Sequence, residues 1–317
     1  MKHVGRAPGK PGALSRFAVL GALLTVSACG DLPVDDDADG GSVTVPSDSA
    51  VVVPFQYRDD EAQHRLQLRI VNHSDAQFVV DALRLRWDGI TTPESAAGLT
   101  VVPGQVVDLP VPLADATCGD DPLGDPPSLD DAVAELVLGD GTVQELPVID
   151  AEGTAARLWR TDCERQWIHS QAPISWTDLH VEDIDGRPVT VATLRVERGD
   201  ASGDIAVEQL TGTVMFIPQS PGLEWPQVLT ADRDALEIPV TFFEARCDPH
   251  AFAETKQPVS FAVHLTLPGD PAADGDEPVD RAIILPPTDA ERDQMMTTLR
   301  AGCDVLLATG ATQWWEV

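Results

Sequence analysis

Four cysteines in the body of the chain are the residues whose type and number most directly indicate chemistry. Cys118, Cys163, Cys247 and Cys303 are at least 45 residues apart along the sequence. Cysteines either bind metals or form disulfides, and structural zinc sites use closely spaced pairs such as C-x-x-C. The chain has neither such a pair nor paired histidines. The spacing therefore favours two disulfides over a metal site, and it leaves three pairings open.

Residues that could carry out catalysis do not form a recognised motif. The chain contains no G-x-S-x-G, no H-E-x-x-H and no Gly-rich dinucleotide turn, and it has no phosphate-binding loop after residue 28. Carboxylate pairs carry no information, because the chain has 52 acidic residues. We predict a protein without enzymatic activity, cofactor or metal. The alternative is a hydrolase whose site assembles only when the chain folds.

The first 28 residues have the pattern of an export signal. They contain basic residues and no acidic residue, and they end in the apolar run Phe17–Ala28. This run is too short to cross a bilayer as a helix, and it is typical of a signal peptide. The sequence Val26-Ser27-Ala28-Cys29 then resembles the lipobox of bacterial lipoproteins. That resemblance implies cleavage before Cys29, a diacylglyceryl group on its thiol, and attachment to the extracytoplasmic face of the bacterial cell membrane. The alternative is an ordinary secreted protein.

Residues 29–48 have the composition of a disordered acidic tether. They are rich in Asp, Gly, Ser and Pro, without helical or strand periodicity. A flexible chain of this length spans about 25 Å, and its charge extends it further. Asp35, Asp37 and Asp39 resemble the start of a calcium loop, but Pro46 stands where the closing Glu belongs. We therefore expect no calcium site there.

An internal repeat selects one cysteine pairing. Leu109–Cys118 aligns without gaps with Ile238–Cys247, and each segment precedes an Asp-Pro, two strand-like runs, a helix-like stretch and another cysteine. Two copies of one domain, at 49–168 and 169–317, explain this order. The repeat then predicts Cys118 bonded to Cys163 and Cys247 bonded to Cys303, each bond stabilising the fold by about 4 kcal/mol.

Alternating apolar and polar residues predict antiparallel strands. The segment Arg65–Val71 alternates, and Phe78–Trp87 continues the pattern with Leu83 and Leu85 inward. Two further runs flank Gly139-Asp140-Gly141, which is a strong hairpin signal. Short runs of this kind, separated by polar turns, predict a mainly β protein of two tandem antiparallel β-sandwich domains similar to the immunoglobulin type.

Each domain is also predicted to carry a short helix near its second cysteine. In the second domain, Thr288 and Glu291 form a capping box before an apolar stripe that leads to Cys303. Ala155–Cys163 is the counterpart in the first domain. The pairs Asp121-Pro122 and Asp248-Pro249 each predict a helix start, with Asp as N-cap and Pro at the first helical position.

Four arginines form a possible patch for an anion or a partner. Arg65, Arg69, Arg84 and Arg86 project from the outer faces of two strands that we expect to be neighbours. Guanidinium groups at that spacing can hold a carboxylate or phosphate. The competing interpretation is an ordinary wet surface, on which the arginines are neutralised by Asp59, Asp60, Glu61 and Asp81.

The overall charge excludes one class of partner. A formal net charge of −31 repels nucleic acids, so no nucleic-acid partner is expected. The membrane, through the lipid on Cys29, and an unidentified protein or envelope component are the expected partners. We predict a lipid-anchored interaction or scaffold protein. The alternative is an envelope-associated protein that recognises a small ligand in a pocket between the domains, near Trp167, Trp176 or Trp225.

Overall fold

Strands dominate the part of the chain that the structure describes. The computed structural model describes residues 50–271 and 279–309, and within them the chain forms fifteen β-strands and four α-helices. The prediction of a mainly β fold is confirmed. The predicted signal peptide at 1–28, the lipid-bearing Cys29 and the tether at 29–48 lie outside the described residues.

The N-terminal half, residues 50–171, contains two antiparallel sheets. Its strands are β1 (Ala50–Phe55), β2 (Arg65–Asn72), β3 (Phe78–Arg86), β4 (Ser95–Val101), β5 (Val106–Pro112), β6 (Val133–Leu138) and β7 (Val143–Pro147). They form one sheet in the order β1-β2-β5 and another in the order β4-β3-β6-β7. Helix α1 (Arg58–Ala62) connects β1 to β2, and helix α2 (Thr154–Gln171) follows β7.

The C-terminal half, residues 174–309, also contains two antiparallel sheets in its described residues. Its strands are β8 (Ile174–Ile184), β9 (Arg187–Glu197), β10 (Ile205–Thr211), β11 (Phe216–Gln219), β12 (Gln227–Leu229), β13 (Ala235–Glu244), β14 (Phe261–Thr266) and β15 (Arg281–Leu285). The sheet orders are β11-β13-β9-β8 and β12-β10-β14-β15. Helix α3 (Pro249–Glu254) precedes β14, and helix α4 (Asp289–Thr309) follows β15.

The two halves repeat one strand order. The order β1-β2-β5 matches β8-β9-β13, and β4-β3-β6-β7 matches β12-β10-β14-β15. Helices α2 and α4 occupy the same place at the end of each half, and each carries the second cysteine of its disulfide. The repeat inferred from ten aligned residues therefore extends over the topology of both halves.

Each half has its own hydrophobic core between its two sheets. In the N-terminal half, Leu66, Leu68 and Ile70 of β2 and Leu83 and Leu85 of β3 are completely buried in one cluster. The alternation seen in the sequence thus places one face of each strand inward. Burying a side chain of this size contributes about 1.5 to 3 kcal/mol. The C-terminal half buries a second cluster around the aromatic rings of Phe216, Phe242 and Phe261.

The halves differ at one sheet edge, and the sequence explains the difference. Strand β11 pairs with the end of β13, where Gln219 lies opposite Thr241. The repeat alignment puts Pro112 at the position of Thr241. The amide of Leu113 donates to the carbonyl of His64, so the amides of residues 110 and 112 would point away from β2. Both residues are prolines, which have no N–H to donate to a further strand on that side. Strand β5 therefore remains at the edge of its sheet.

The helices depart from the predictions in three ways. Helices α2 and α4 have 18 and 21 residues, so the prediction of short helices near the second cysteines is wrong in length. Their buried residues continue past the cysteines, to Ile168 and Leu306. Asp121-Pro122 starts no helix, because Gly124 and the prolines that follow disfavour one. Helix α1 has no counterpart in the sequence prediction.

Helix α2 connects the two halves. Its N-terminal part packs Trp159 and Cys163 into the first core, whereas Ile168 belongs to the second core. The predicted domain boundary between residues 168 and 169 therefore falls inside this helix. Backbone contacts hold the described residues together as one unit. Independent folding of two domains stays a prediction.

Candidate functional site

The cysteines after residue 100 form two disulfides. Cys118 is bonded to Cys163 and Cys247 to Cys303, with Cα–Cα distances of 5.4 and 5.3 Å. This is the pairing that the repeat predicts. Each bond ties the segment after the last strand of the first sheet to the helix that ends the half. Disulfides persist in oxidising compartments, so they favour an extracytoplasmic location.

A carboxyl group lies beside each disulfide, but the two halves supply it from different elements. In the N-terminal half it is Asp162, the helical residue just before Cys163. Its side chain accepts hydrogen bonds from the amide of Ala116 at 2.6 Å and from Gln166 at 3.0 Å, and it is paired with Arg165. Burial raises the pKa of Asp162, but these donors outweigh burial and hold that pKa below its ordinary value.

In the C-terminal half the corresponding carboxyl group is Glu244, at the end of β13. The helical residue before Cys303 is Gly302, and a Cβ there would lie 1.8 Å from Glu244 Oε1. Glu244 is only 2% exposed, and its Oε2 is buried without a hydrogen bond. Burial raises the pKa of Glu244 above its ordinary value, although the charge of Arg187, with Nε 3.7 Å from Oε2, opposes the shift.

The four arginines of the predicted patch lie in two different sheets. Arg65 and Arg69 are on β2, which pairs with β1 and β5, whereas Arg84 and Arg86 are on β3, which pairs with β4 and β6. The expectation that all four lie on neighbouring strands is therefore wrong. The turn at residues 73–77 carries the chain from one sheet to the other instead of closing a hairpin.

Each of these arginines is paired with a carboxylate. Arg69 makes two hydrogen bonds to its partner, at 2.7 and 3.0 Å, and Arg65 lies 3.0 Å from its own. The partners of Arg65, Arg69, Arg84 and Arg86 are, in that order, Asp60, Asp108, Glu135, and Glu135 together with Glu145. Of the predicted acids, Asp60 alone appears among these pairs. The four arginines are therefore neutralised locally, mostly by acids other than those that the competing interpretation named.

A cleft between the halves forms where the repeat is interrupted. Helix α1 belongs only to the N-terminal half, and helix α3 only to the C-terminal half. These two helices, the residues that follow α3 and the β10–β11 loop line an open cleft of about 700 Å³. Its walls include Arg58, Glu61, Thr213, Val214, Arg246, His250, Glu254, Thr255, Lys256, Gln257 and Ser260. Elements that a repeated scaffold does not need are candidates for function, because the scaffold folds in the other half without them.

Buried polar contacts fix helix α1 in place. The carboxylate of Asp60 is nearly fully buried and accepts from the amide of Tyr57 at 2.9 Å and from Gln67 at 2.9 and 3.0 Å. Arg65 adds an ion pair to the same carboxylate at 3.0 Å. These contacts hold the first turn of α1, and therefore Arg58 at its start, in the wall of the cleft.

Helix α3 is fixed by its N-cap. Asp248 accepts a hydrogen bond from the amide of Ala251 at 3.0 Å, and Pro249 occupies the first turn, as the sequence predicts. The other oxygen of Asp248 accepts from Arg246 at 2.9 Å. The hydrogen bond from Ala251 and the pair with Arg246 lower the pKa of Asp248, so it remains ionised.

Two contacts cross from one half to the other beside the cleft. Lys256 Nζ lies 3.4 Å from a carboxylate oxygen of Asp59, and the side-chain amide of Gln257 donates to the carboxylate of Glu61 at 3.0 Å. Lys256 is the single lysine after residue 28. Both contacts join α1 to the segment that follows α3.

A partly buried cluster around Arg281 makes a second connection between the halves. Arg281 of β15 makes two hydrogen bonds to Asp270, at 2.8 and 2.9 Å, and one to Glu164 of α2 at 2.8 Å. It also lies 5.8 Å from the ring centre of Trp167. The hydrogen bond to Asp270 raises the pKa of Arg281 most, and the group remains charged. The cluster locks α2 against the second half.

The tryptophans named as pocket candidates take part in packing. The indole of Trp176 donates to the carbonyl of Leu285 at 3.0 Å and packs edge-on against Phe242 and Phe261. Trp167 lies under Arg281, and Trp225 packs against the second core. The cleft lies elsewhere, beside α1 and α3.

Metal and membrane elements were searched for in residues 50–271 and 279–309. In these ranges no three His, Cys, Asp or Glu side chains are placed to hold a metal ion. Among the helices described, none has the length and apolar character needed to cross a membrane.

Comparisons with known proteins leave the function open. No protein-family model and no curated protein sequence matches the chain. One similar solved structure is that of the calcium-binding domain CBD12 of CALX1.1, which is 15% identical in sequence. The match covers 76% of this chain and 86% of that structure's chain, with a TM-score of 0.16. Another, a protein of unknown function from Porphyromonas gingivalis W83, is 14% identical, with coverages of 74% and 94% and a TM-score of 0.15. Scores this low carry no argument about function.

Proposed function

We propose that this chain is a lipid-anchored extracytoplasmic binding protein without catalytic activity of its own. The observation that carries the proposal is the meeting of α1 and α3 at one cleft on a scaffold whose remaining strands, apart from β11, follow one repeated order. A scaffold that needs only to fold does not require these insertions. A chain that must present one asymmetric surface does require them.

The rigidity of the connection supports a binding role. Helix α2 contributes side chains to both cores, and Arg281 ties it to β15 and to Asp270. Such a connection favours one relative placement of the two halves, and the cleft is lined by residues of both. Preorganised surfaces bind with less loss of conformational entropy than mobile ones do.

The anchor is supported by the N-terminal sequence. The lipobox resemblance at Val26–Cys29 implies two or three acyl chains on Cys29, and each buried methylene would contribute about 0.8 kcal/mol to membrane attachment. Residues 30–48 then act as a spacer between the membrane and β1. The partner is a protein or an envelope component rather than a nucleic acid, since the chain carries a net charge of −31.

Site-specific photo-crosslinking in intact cells tests the binding role. A photoreactive residue at Val214, which is 50% exposed in the cleft wall, is expected to capture a discrete partner. The same residue at Val143, 64% exposed on β7, is the matched control and is expected to capture nothing discrete. Equal capture at both positions, or no capture at Val214, refutes the proposal.

Replacement of Cys29 tests the anchor separately. The Cys29→Ala variant is expected to leave the membrane fraction and to lose the Val214 crosslink if the partner is a membrane neighbour. Labelling with a radioactive or alkyne-bearing fatty acid should mark the wild-type chain and not the variant. A variant that stays in the membrane fraction, or a wild-type chain without label, removes the anchor from the proposal.

A further inference from the structure

We infer that the cleft binds a small polar molecule through its oxyanion, and that Arg58 is the principal residue that holds it. The inference rests on the proposed binding function and deepens it by naming the ligand class. Carboxylates and phosphates are both oxyanions that a guanidinium group binds with paired hydrogen bonds.

The charge of the cleft wall differs from that of the rest of the chain. The chain has 52 acidic and 21 basic residues, so acids outnumber bases more than twofold. In the cleft wall this order is reversed, with Arg58, Arg246 and Lys256 against Glu61 and Glu254. Cations are therefore concentrated at this concave place relative to the rest of the chain, and a cation there without a carboxylate partner is a candidate for binding an anion.

The acidic groups in and beside the cleft are already paired. Glu254 lies 3.1 Å from His250, and Glu61 accepts from Gln257 at 3.0 Å. Asp248 caps α3 and accepts from Arg246, while Asp59 lies 3.4 Å from Lys256. Each of these carboxylates thus has a partner other than Arg58, and none of them is paired with the guanidinium group of Arg58.

Arg58 is the permanent cation of the cleft wall that has no carboxylate partner among the described residues. It is exposed, and within the described residues it makes neither an ion pair nor a hydrogen bond through its side chain. The other two permanent cations, Arg246 and Lys256, each have a carboxylate neighbour. A guanidinium group carries five N–H donors, so Arg58 can donate hydrogen bonds to an oxyanion without breaking an existing pair.

The remaining wall suits a polar ligand body. Thr255, Gln257 and Ser260 present hydroxyl and amide groups, and the aliphatic wall residues are limited to small ones such as Val214 and Ala251. A volume of about 700 Å³ is within the usual range for small-molecule sites. An acidic sugar or another small hydroxylated acid fits this lining better than a fatty acid does.

Calorimetric titration of the purified full-length protein tests the inference. The probes are galacturonate, inorganic phosphate and galactose, the last being the neutral match of the first. We expect galacturonate or phosphate to bind and galactose not to bind, and the two anionic probes distinguish a carboxylate from a phosphate ligand. Binding should weaken as salt is raised from about 50 to about 300 mM.

Two variants assign the binding to the cleft. Arg58→Gln should weaken binding of the anionic probe by roughly tenfold or more, because a charged hydrogen-bond donor is lost. Arg160→Gln removes the same charge from an exposed position on α2, outside the cleft, and should leave the affinity within about twofold. Both positions are exposed, so folding should be retained, and circular dichroism checks this.

Three outcomes overturn the inference. They are the absence of binding by every anionic probe, equal binding of galactose and galacturonate, and equal losses in the two variants. None of them affects the Val214 crosslink, which requires only that a partner contact the cleft. Failure of the ligand class and failure of the proposed binding function are therefore distinguishable.

Discussion

Replacement of Glu244 by glutamine tests how the second half tolerates a buried carboxyl group. Glu244 is 2% exposed, one of its oxygens has no hydrogen bond, and Arg187 is too far away, at 3.7 Å, to donate one. Glutamine has nearly the same size and fits the space left by Gly302. The change therefore removes the charge and leaves the packing almost intact.

The expected gain in stability depends on pH. An unfolded chain ionises Glu244 near the ordinary pKa of 4.5, whereas burial raises the pKa in the folded chain. The folded state thus holds the proton more tightly, and the stability due to this group is greatest below pH 4.5. It falls as the pH rises through the folded pKa. A buried group without a partner costs about 1 to 3 kcal/mol, and the attraction of Arg187 offsets part of this, so we expect a gain of about 1 kcal/mol at pH 8.

Urea unfolding at pH 4 and pH 8 measures this effect. The free energies of unfolding of Glu244→Gln and wild type should agree at pH 4 and differ at pH 8, with the variant more stable. Glu94→Gln is the matched control, because Glu94 is exposed, and it should show no such difference. A Glu244→Gln protein that is less stable at pH 8, or a difference that does not depend on pH, would refute this account of the buried carboxyl group.

Three further predictions concern stability. Arg281→Ala removes an ion pair and two hydrogen bonds from the buried carboxylate of Asp270, and it should lower the free energy of unfolding by about 3 kcal/mol. Urea unfolding measures the loss, and a change below about 1 kcal/mol would contradict this expectation. Thr288→Ala should cost about 1 kcal/mol through the lost N-cap of α4, visible as a lower melting temperature by circular dichroism. Cys118→Ser with Cys163→Ser should cost about 2 to 5 kcal/mol under oxidising conditions, and reducing agent should then affect the variant less than wild type.

Local patterns predicted the elements that depend on neighbouring residues. The alternation around Leu66 and Leu83, the capping box at Thr288 and the N-cap at Asp248 all appear as predicted. These features depend on periodicity or on contacts within one turn, and a sequence contains that information directly. The internal repeat added the cysteine pairing, because it related positions far apart in the chain.

Features set by long-range pairing were not predicted. The turn after β2 could equally join two strands of one sheet or lead to the opposite sheet, and the second outcome separated Arg69 from Arg84. The cleft was missed because α1 and α3 are distant in sequence. Lys256, the single lysine after residue 28, was a signal that could have drawn attention to this region.

The carboxyl groups beside the two disulfides limit how the halves could be recombined. Asp162 and Gly302 occupy equivalent positions, because each directly precedes the second cysteine of its half. A chimera that joined β13 to α2 would therefore put Asp162 in place of Gly302, beside Glu244, and two carboxyl groups would compete for one buried space. The opposite chimera, β5 with α4, would place Gly302 against an exposed Asp115 and leave a hole. Each strand and its helix have therefore become specific partners, and gene conversion between the copies would be harmful unless both positions changed together.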